Sequence, residues 1–191
     1  MPMMKLGDIT EIKAGVAFRR AIERSSTGTH YVLQAKDVLD GRLDLSDLIL
    51  VDLGKRGRNH ELQVGDVIMV SRGRTVAAPV LSLLECEPAV AAGSVYVFRV
   101  EASSLDPIYV AWAINRPQMQ ARLQALAQGS HIPFVSKQSL SELEIPVPSI
   151  EIQRAIGRVY ELSLIEKDLM AQLSELRQQY IHALCAAVAQ E

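Results

Sequence analysis

The last 43 residues constrain this chain more than any other stretch. From Ser149 onward there is no Pro, and no Gly after Gly157, while Ala, Leu, Gln, Glu and Arg dominate. All are strong helix formers, so the segment 149–191 reads as one long helix. Pro146 and Pro148 stop a strand before it, Ser149 is placed to cap it, and Glu151 sits where the helix dipole favours negative charge. Leu162, Leu169, Leu176 and Ala183 recur at spacing seven, and Val159, Leu173, Tyr180 and Ala187 fill the companion positions, with Glu166 as the exception. That is a coiled-coil seam. About 40 residues at ~1.5 Å each make a rod of roughly 60 Å, longer than one small domain can cover. Part of the stripe therefore needs a second helix, and Leu162, Leu169, Leu173, Leu176 and Tyr180 are the expected interface.

The preceding 148 residues have a different character. Val67 to Val70 and Val95 to Phe98 are short β-branched or aromatic runs, each preceded by a Gly-containing turn, as buried strands would be. Asp40-Gly41 suggests a tight turn. Asp106-Pro107 is a helix-start signal, followed by an apolar face of Ile108, Ala111 and Trp112. Pro117 should break that helix and open a second over about 117–127, ended near Gly129. The expected class is α+β: a strand-rich domain with short helices over 1–148, then one coiled-coil-forming helix over 149–191.

Composition excludes several classes. At 49% hydrophobic and 22% charged residues, the chain has the balance of a folded globular protein. No apolar run approaches the ~20 residues of a membrane span, and the opening MPMMKLGDIT lacks the apolar core of a secretory signal, so a cytoplasmic location is expected. Cys86 and Cys185 lie far apart, and His30, His60, His131 and His182 are scattered, so no metal is expected. GKRGRNH only superficially suggests a phosphate-binding loop, and neither a methyltransferase-type Asn-Pro-Pro-aromatic stretch nor a nuclease-type carboxylate group stands out. The chain therefore reads as a non-enzyme without a cofactor.

Net charge is −2, yet its distribution matters more than the sum. Residues 149–191 hold 4 basic and 6 acidic residues, so the acidic excess lies in the tail and the first part is neutral. Lys55, Arg56 and Arg58 form a tight run between glycines, followed by Arg72 and Arg74 around Gly73. Lys13, Arg19, Arg20 and Arg24 cluster near one acid, Glu23, and rank as weaker candidates. Arg and Lys neutralise phosphates, and Arg reads guanine edges bidentately.

Three motifs, in order and followed by the heptad helix, resemble the specificity subunit of type I restriction-modification enzymes. They are LGDITEIKAG (Leu6 to Gly15), LQVGDVIMVSRG (Leu62 to Gly73) and GSHIPFVSKQSLSELEIPVPSIEIQRAI (Gly129 to Ile156). The resemblance implies one target recognition domain and one spacer helix, half of a subunit that carries two of each with its helices antiparallel. It implies duplex DNA as ligand, methyltransferase subunits and a restriction subunit as partners, and Ser130, His131 and Lys137 as members of a DNA-facing closing loop. With one of each part, the chain must dimerise or belong to something longer. Dimerisation is favoured because an unpaired Leu seam is an exposed apolar stripe. The competing reading is a coiled-coil adaptor that binds proteins and no DNA.

Overall fold

A computed structural model describes residues 1–39, 42–71, 78–81, 88–100, 104–127 and 134–189. In chain order the elements are β1 (Met3–Lys5), α1 (Leu6–Ile9), β2 (Thr10–Ala14), β3 (His30–Leu33), β4 (Val38–Leu39), β5 (Arg42–Leu43), β6 (Ile49–Val51), β7 (Val67–Val70), β8 (Ala89–Ala91), β9 (Val95–Val100), α2 (Pro107–Asn115), α3 (Pro117–Leu126), α4 (Lys137–Ser141), β10 (Glu144–Pro146) and α5 (Ile150–Val188). The class is α+β, as expected.

Two three-stranded sheets form the body of the domain. In one, β9 lies between β2 and β7, antiparallel to both, with Ile12 opposite Phe98 and Ile68 opposite Val97. In the other, β3 lies between β6 and β8, antiparallel to the first and parallel to the second. Successive side chains of a strand point to opposite faces. Val67, Met69, Tyr96 and Phe98 accordingly enter a core shared with α2, α3 and α4, while Ile68, Val95 and Val97 enter a second core with Leu33, Leu48 and Leu81. Burial on both faces explains why these strands read as continuous apolar runs rather than alternating ones. β1 and β10 pair separately, and β4 and β5 form a hairpin. Asp40 and Gly41, where a tight turn is expected, lie outside the described residues.

Local signals set the helix boundaries. Asp106 Oδ1 accepts the Tyr109 amide at 2.9 Å, so the cap expected there forms. Arg116, with ψ 141°, separates α2 from α3, because the residue before Pro is pushed out of the helical region. α3 ends at Leu126, and the Gly129 stop lies outside the described residues. One expectation is extended and one is corrected. Tyr109, Val110, Ala111, Ala113 and Ile114 are all buried, so α2 is apolar nearly all round, whereas Trp112 is only half-buried beneath the Arg116 guanidinium, 5.1 Å from its ring centre. Ser149 makes no side-chain cap to the α5 amides; its hydroxyl bonds Glu151 instead and holds that carboxyl below its ordinary value.

Candidate nucleic-acid interface and pairing helix

β6 leads into two consecutive 3-10 turns, Gly54–Arg56 and Arg58–His60, which carry Lys55, Arg56 and Arg58 on an exposed surface. The turns are pinned from beneath. Thr29 Oγ1 accepts the amides of Leu53 at 3.1 Å and Gly54 at 3.2 Å, and Asp52 accepts Gly54 at 3.1 Å. Gly57 is buried against the His30 ring, where an added Cβ would lie 2.3 Å from Nε2. Only glycine fits that approach. The loop is therefore exposed in its cations and fixed in its backbone, which suits a contact surface.

A small apolar cluster around Val51 and Val90, on which Phe18, Ile22 and Leu53 pack, also brings a second basic segment to this place. Phe18, Arg19 and Arg20 line an open cleft of about 510 Å³ together with Asp52, Leu53 and Arg56. Among the described residues, Arg19, Arg20, Lys55, Arg56 and Arg58 have no ion-pair partner. Lys13 and Arg24, by contrast, pair with Glu11 at 3.0 Å and Asp47 at 2.7 Å. Arg19 and Arg20, which sequence alone ranks low, thus join Arg56. Their signal was the arginine cluster beside a single acid. Free guanidiniums around an open groove can take phosphates or base edges.

Lys137 opens α4 and is exposed, but α4 packs on α1 and β2, and Lys137 does not line the Arg56 cleft. Arg72, Arg74, Ser130 and His131 lie outside the described residues. The residues nearest to those segments do meet, with Val135 N donating to Ser71 O at 3.1 Å. Among the described residues no group of three His, Cys, Asp or Glu is placed to hold a metal, and no helix is long and apolar enough to cross a membrane.

α5 has two rows of side chains. Gln153, Gly157, Tyr160, Leu164 and Asp168, spaced by four, three, four and four, face the domain. Gln153 is 1% exposed; it accepts the Asp106 amide at 3.0 Å and donates to Pro148 O at 2.9 Å and Ser104 O at 3.3 Å. A Cβ on Gly157 would meet Asp106 Oδ1 at 3.1 Å, so the helix lies flush on the start of α2. Tyr160 accepts from Asn115 at 2.8 Å, and burial raises its hydroxyl above the ordinary value. Asp168 pairs with Arg42 of the β4–β5 hairpin. On nearly the opposite side, at 3.6 residues per turn, Leu162, Ile165, Leu169, Leu173, Leu176, Tyr180 and Leu184 are all exposed by 47–65%. The five residues expected at the pairing seam lie on this row.

The family model for the type I restriction modification DNA specificity domain matches residues 1–175, taking in the recognition body and more than half of α5. The chain belongs to this family. The specificity domain is also similar to solved structures: the type I restriction-modification S subunit from M. genitalium, at 17% identity and TM-score 0.59 over 91% of this chain and 41% of that one; a chain from a structure on complex assembly and conformational transition of the type I R-M system, at 17% and 0.64 over 89% and 39%; and the HsdS subunit from Thermoanaerobacter tengcongensis, at 16% and 0.58 over 89% and 38%. At these identities the likeness is one of fold. This specificity domain spans about two fifths of the length of those chains. No protein of curated function matches it by sequence.

Within the specificity domain, the Gly-Asp motif before β7 is architectural. Asp66, 1% exposed, accepts Arg99 Nε at 2.8 Å and Nη2 at 2.7 Å, and the Gln63 amide at 2.8 Å. Hydrogen bonding to Asp66 and its charge hold the Arg99 guanidinium above its ordinary value. Arg99 is therefore committed to the fold, not to a ligand.

Proposed function

We propose that this chain is a half-sized, non-catalytic DNA-recognition subunit of a cytoplasmic type I restriction-modification complex: its domain, 1–148, reads one short half-site in duplex DNA, and its helix, 149–191, pairs two copies. The observation that carries this reading is the two-faced helix. One row fastens it to its own domain and leaves an apolar row facing away along the remaining length. Membership of the specificity-domain family and coverage of about two fifths of solved S subunits support DNA as ligand, with methyltransferase subunits and a restriction subunit as partners. Leu162, Leu169, Leu173, Leu176 and Tyr180 would form the seam. Arg19, Arg20, Lys55, Arg56 and Arg58 would contact DNA on the described surface, and Arg72, Arg74, Ser130, His131 and Lys137 remain part of the proposal from sequence. No metal or cofactor is invoked.

Two identical domains related by a dyad read the same bases on opposite strands, so the target would be an inverted repeat with a fixed gap. Methylation mapping of DNA modified by the reconstituted complex tests this, and an asymmetric site would sink it. Removing Leu169 to Glu175 keeps heptad phase and spares the anchored half. It should shrink the preferred gap by ~10 Å, about three base-pair steps, with unchanged half-sites. A coiled-coil adaptor predicts no salt-sensitive binding to duplex DNA at all.

A further inference from the structure

The cleft that holds Phe18, Arg19, Arg20 and Arg56 also holds one acid, Asp52. Asp52 is exposed, and among the described residues it forms an ion pair with none of the cations around it. Its Oδ1 accepts the Gly54 amide at 3.1 Å. A carboxylate has about four lone-pair positions, so most of them stay open to a ligand. We propose that Asp52 is a specificity-determining residue: together with Arg56 it reads one C·G base pair in the major groove, Asp52 accepting from cytosine N4 and Arg56 donating to guanine O6 and N7. This rests on the DNA-recognition reading above and adds the chemical edge that the cleft takes.

Charge separates a base site from a backbone site. A groove that only held the DNA backbone would gain from each cation and lose from each carboxylate, because phosphate and carboxylate repel. The turn at Gly54 does not explain the acid either, since Asn closes the same kind of turn without a negative charge. At a base edge the carboxylate is useful, as an exposed amino group needs an acceptor. Cytosine offers N4 in the major groove and adenine offers N6. Adenine sets the N7 lone pair beside its amino group, which repels a side chain that can only accept, whereas cytosine has a C–H there. The acceptor atoms of guanine and thymine repel it as well. Cytosine is the base that fits.

The guanine of the same pair presents N7 and O6, both acceptors, and its O6 lies about 3 Å from cytosine N4 because those two atoms are hydrogen-bonded to each other. Reading the whole pair therefore takes an Arg fork and a carboxylate side by side. Asp52 and Arg56 line the same cleft from one short stretch of chain. That stretch is fixed at several points: Thr29 Oγ1 accepts the Leu53 and Gly54 amides, the Arg56 amide donates to Leu53 O at 3.1 Å, and Gly54 takes a positive φ of 50°. A fixed backbone under both side chains limits how far they can adapt to a wrong pair, and discrimination needs that rigidity. Arg19 and Arg20, from the other segment, are left for flanking phosphates.

Methylation mapping with the reconstituted complex, followed by binding titrations on the mapped duplex, tests this. The wild-type half-site should contain a C·G pair whose replacement weakens binding by about 5- to 100-fold. Asp52→Asn keeps the acceptor for Gly54 and should relax that one position while the rest of the half-site stands. Binding to non-target duplex should tighten at the same time, since a charge that repels phosphate is gone. If the half-site is unchanged in Asp52→Asn, and target and non-target duplexes tighten alike, Asp52 merely closes a turn and the proposal is overturned. A wild-type half-site without a C·G pair overturns it too, while leaving DNA recognition intact. A wild type that selects no sequence at all removes the recognition reading itself. A second arm needs no change at position 52. In that pair 7-deazaguanine, which carries carbon in place of N7, should weaken the wild type by at least about fivefold and leave Arg56→Ala unaffected. An equal loss in both proteins would separate Arg56 from that guanine and sink the shared reading of one base pair.

Discussion

The first and second halves of α5 share one helical propensity but have different surroundings. Residues 150–168 carry Gln153, Gly157, Tyr160, Leu164 and Asp168 toward their own domain, and Gln153 and Gly157 are buried. Residues 169–189 are exposed on every side. An isolated helix gains little net stability from propensity alone, and apolar side chains in water gain nothing. The first half is thus part of the fold, and the second half is explained by an association that the single chain does not make. The break falls just after Asp168, where the last tie to the domain ends.

The largest expected effect breaks that contrast by removing the association. Leu169→Asp with Leu176→Asp should weaken dimerisation by at least about a thousandfold, since four leucines per dimer lose a burial worth ~1.5–3 kcal/mol each. The thermal midpoint of the monomer should not move, because both side chains are already exposed. Sedimentation and calorimetry read the two quantities separately. A large fall in the monomer midpoint would show that the second half is not free.

The next effect lies in the anchored half and reverses the pattern. Gln153→Ala should cost about 1–3 kcal/mol in urea denaturation by leaving the Asp106 amide and two carbonyls without partners. Gln153→Glu should cost more, since a carboxylate accepts from Asp106 but cannot donate to Pro148 O and Ser104 O. Neither should change dimer affinity of the folded protein. If both do, the two halves are not separable.

The same division explains what was legible in the sequence. Asp106-Pro107, Pro117 and the heptad row are local codes, set by residues within a turn or two of each other, and they appear where the pattern puts them. Ser149 shows the limit of such codes, for it makes no side-chain cap to the α5 amides and its hydroxyl instead lowers the Glu151 carboxyl two residues on. The Arg19-Arg20-Arg56 cleft was beyond a local reading. It exists because Phe18, Ile22 and Leu53 pack on one small apolar cluster around Val51 and Val90, and nothing in residues 17–21 announces residues 52–56 as neighbours. Gly57 stands in the sequence only as a break in the basic run, yet its reason is the His30 ring 27 positions away.

An effect of similar size, on binding rather than folding, is expected at that cleft. Arg56→Ala should weaken duplex binding by ~1–3 kcal/mol if it holds a guanine, relaxing one half-site position, or more uniformly across sequences with a shallower salt slope if it holds a phosphate. Arg24→Ala, whose guanidinium already pairs with Asp47, should do neither. Binding titrations across a salt series separate these outcomes, and an Arg56→Ala variant indistinguishable from wild type would remove the cleft from the interface.

The smallest effect concerns the boundary itself. Arg42 and Asp168 form the last tie between domain and helix, but their side chains remain 47% and 35% exposed. A pair so placed trades solvation for a screened attraction, so Arg42→Ala should cost less than about 1 kcal/mol and less still at high salt. Its consequence should be local. Past Leu164 the helix has no other described hold on the domain, so backbone amides from about residue 165 to 172 should exchange faster in a monomeric background, while those around Gln153 and Gly157 keep their protection. Hydrogen exchange on the Leu169→Asp, Leu176→Asp background measures this directly. Faster exchange reaching back to Gln153 would mean that the ion pair anchors the whole first half and that the boundary lies nearer the start of the helix; no change at all would place it at Leu164, with Arg42 and Asp168 as bystanders.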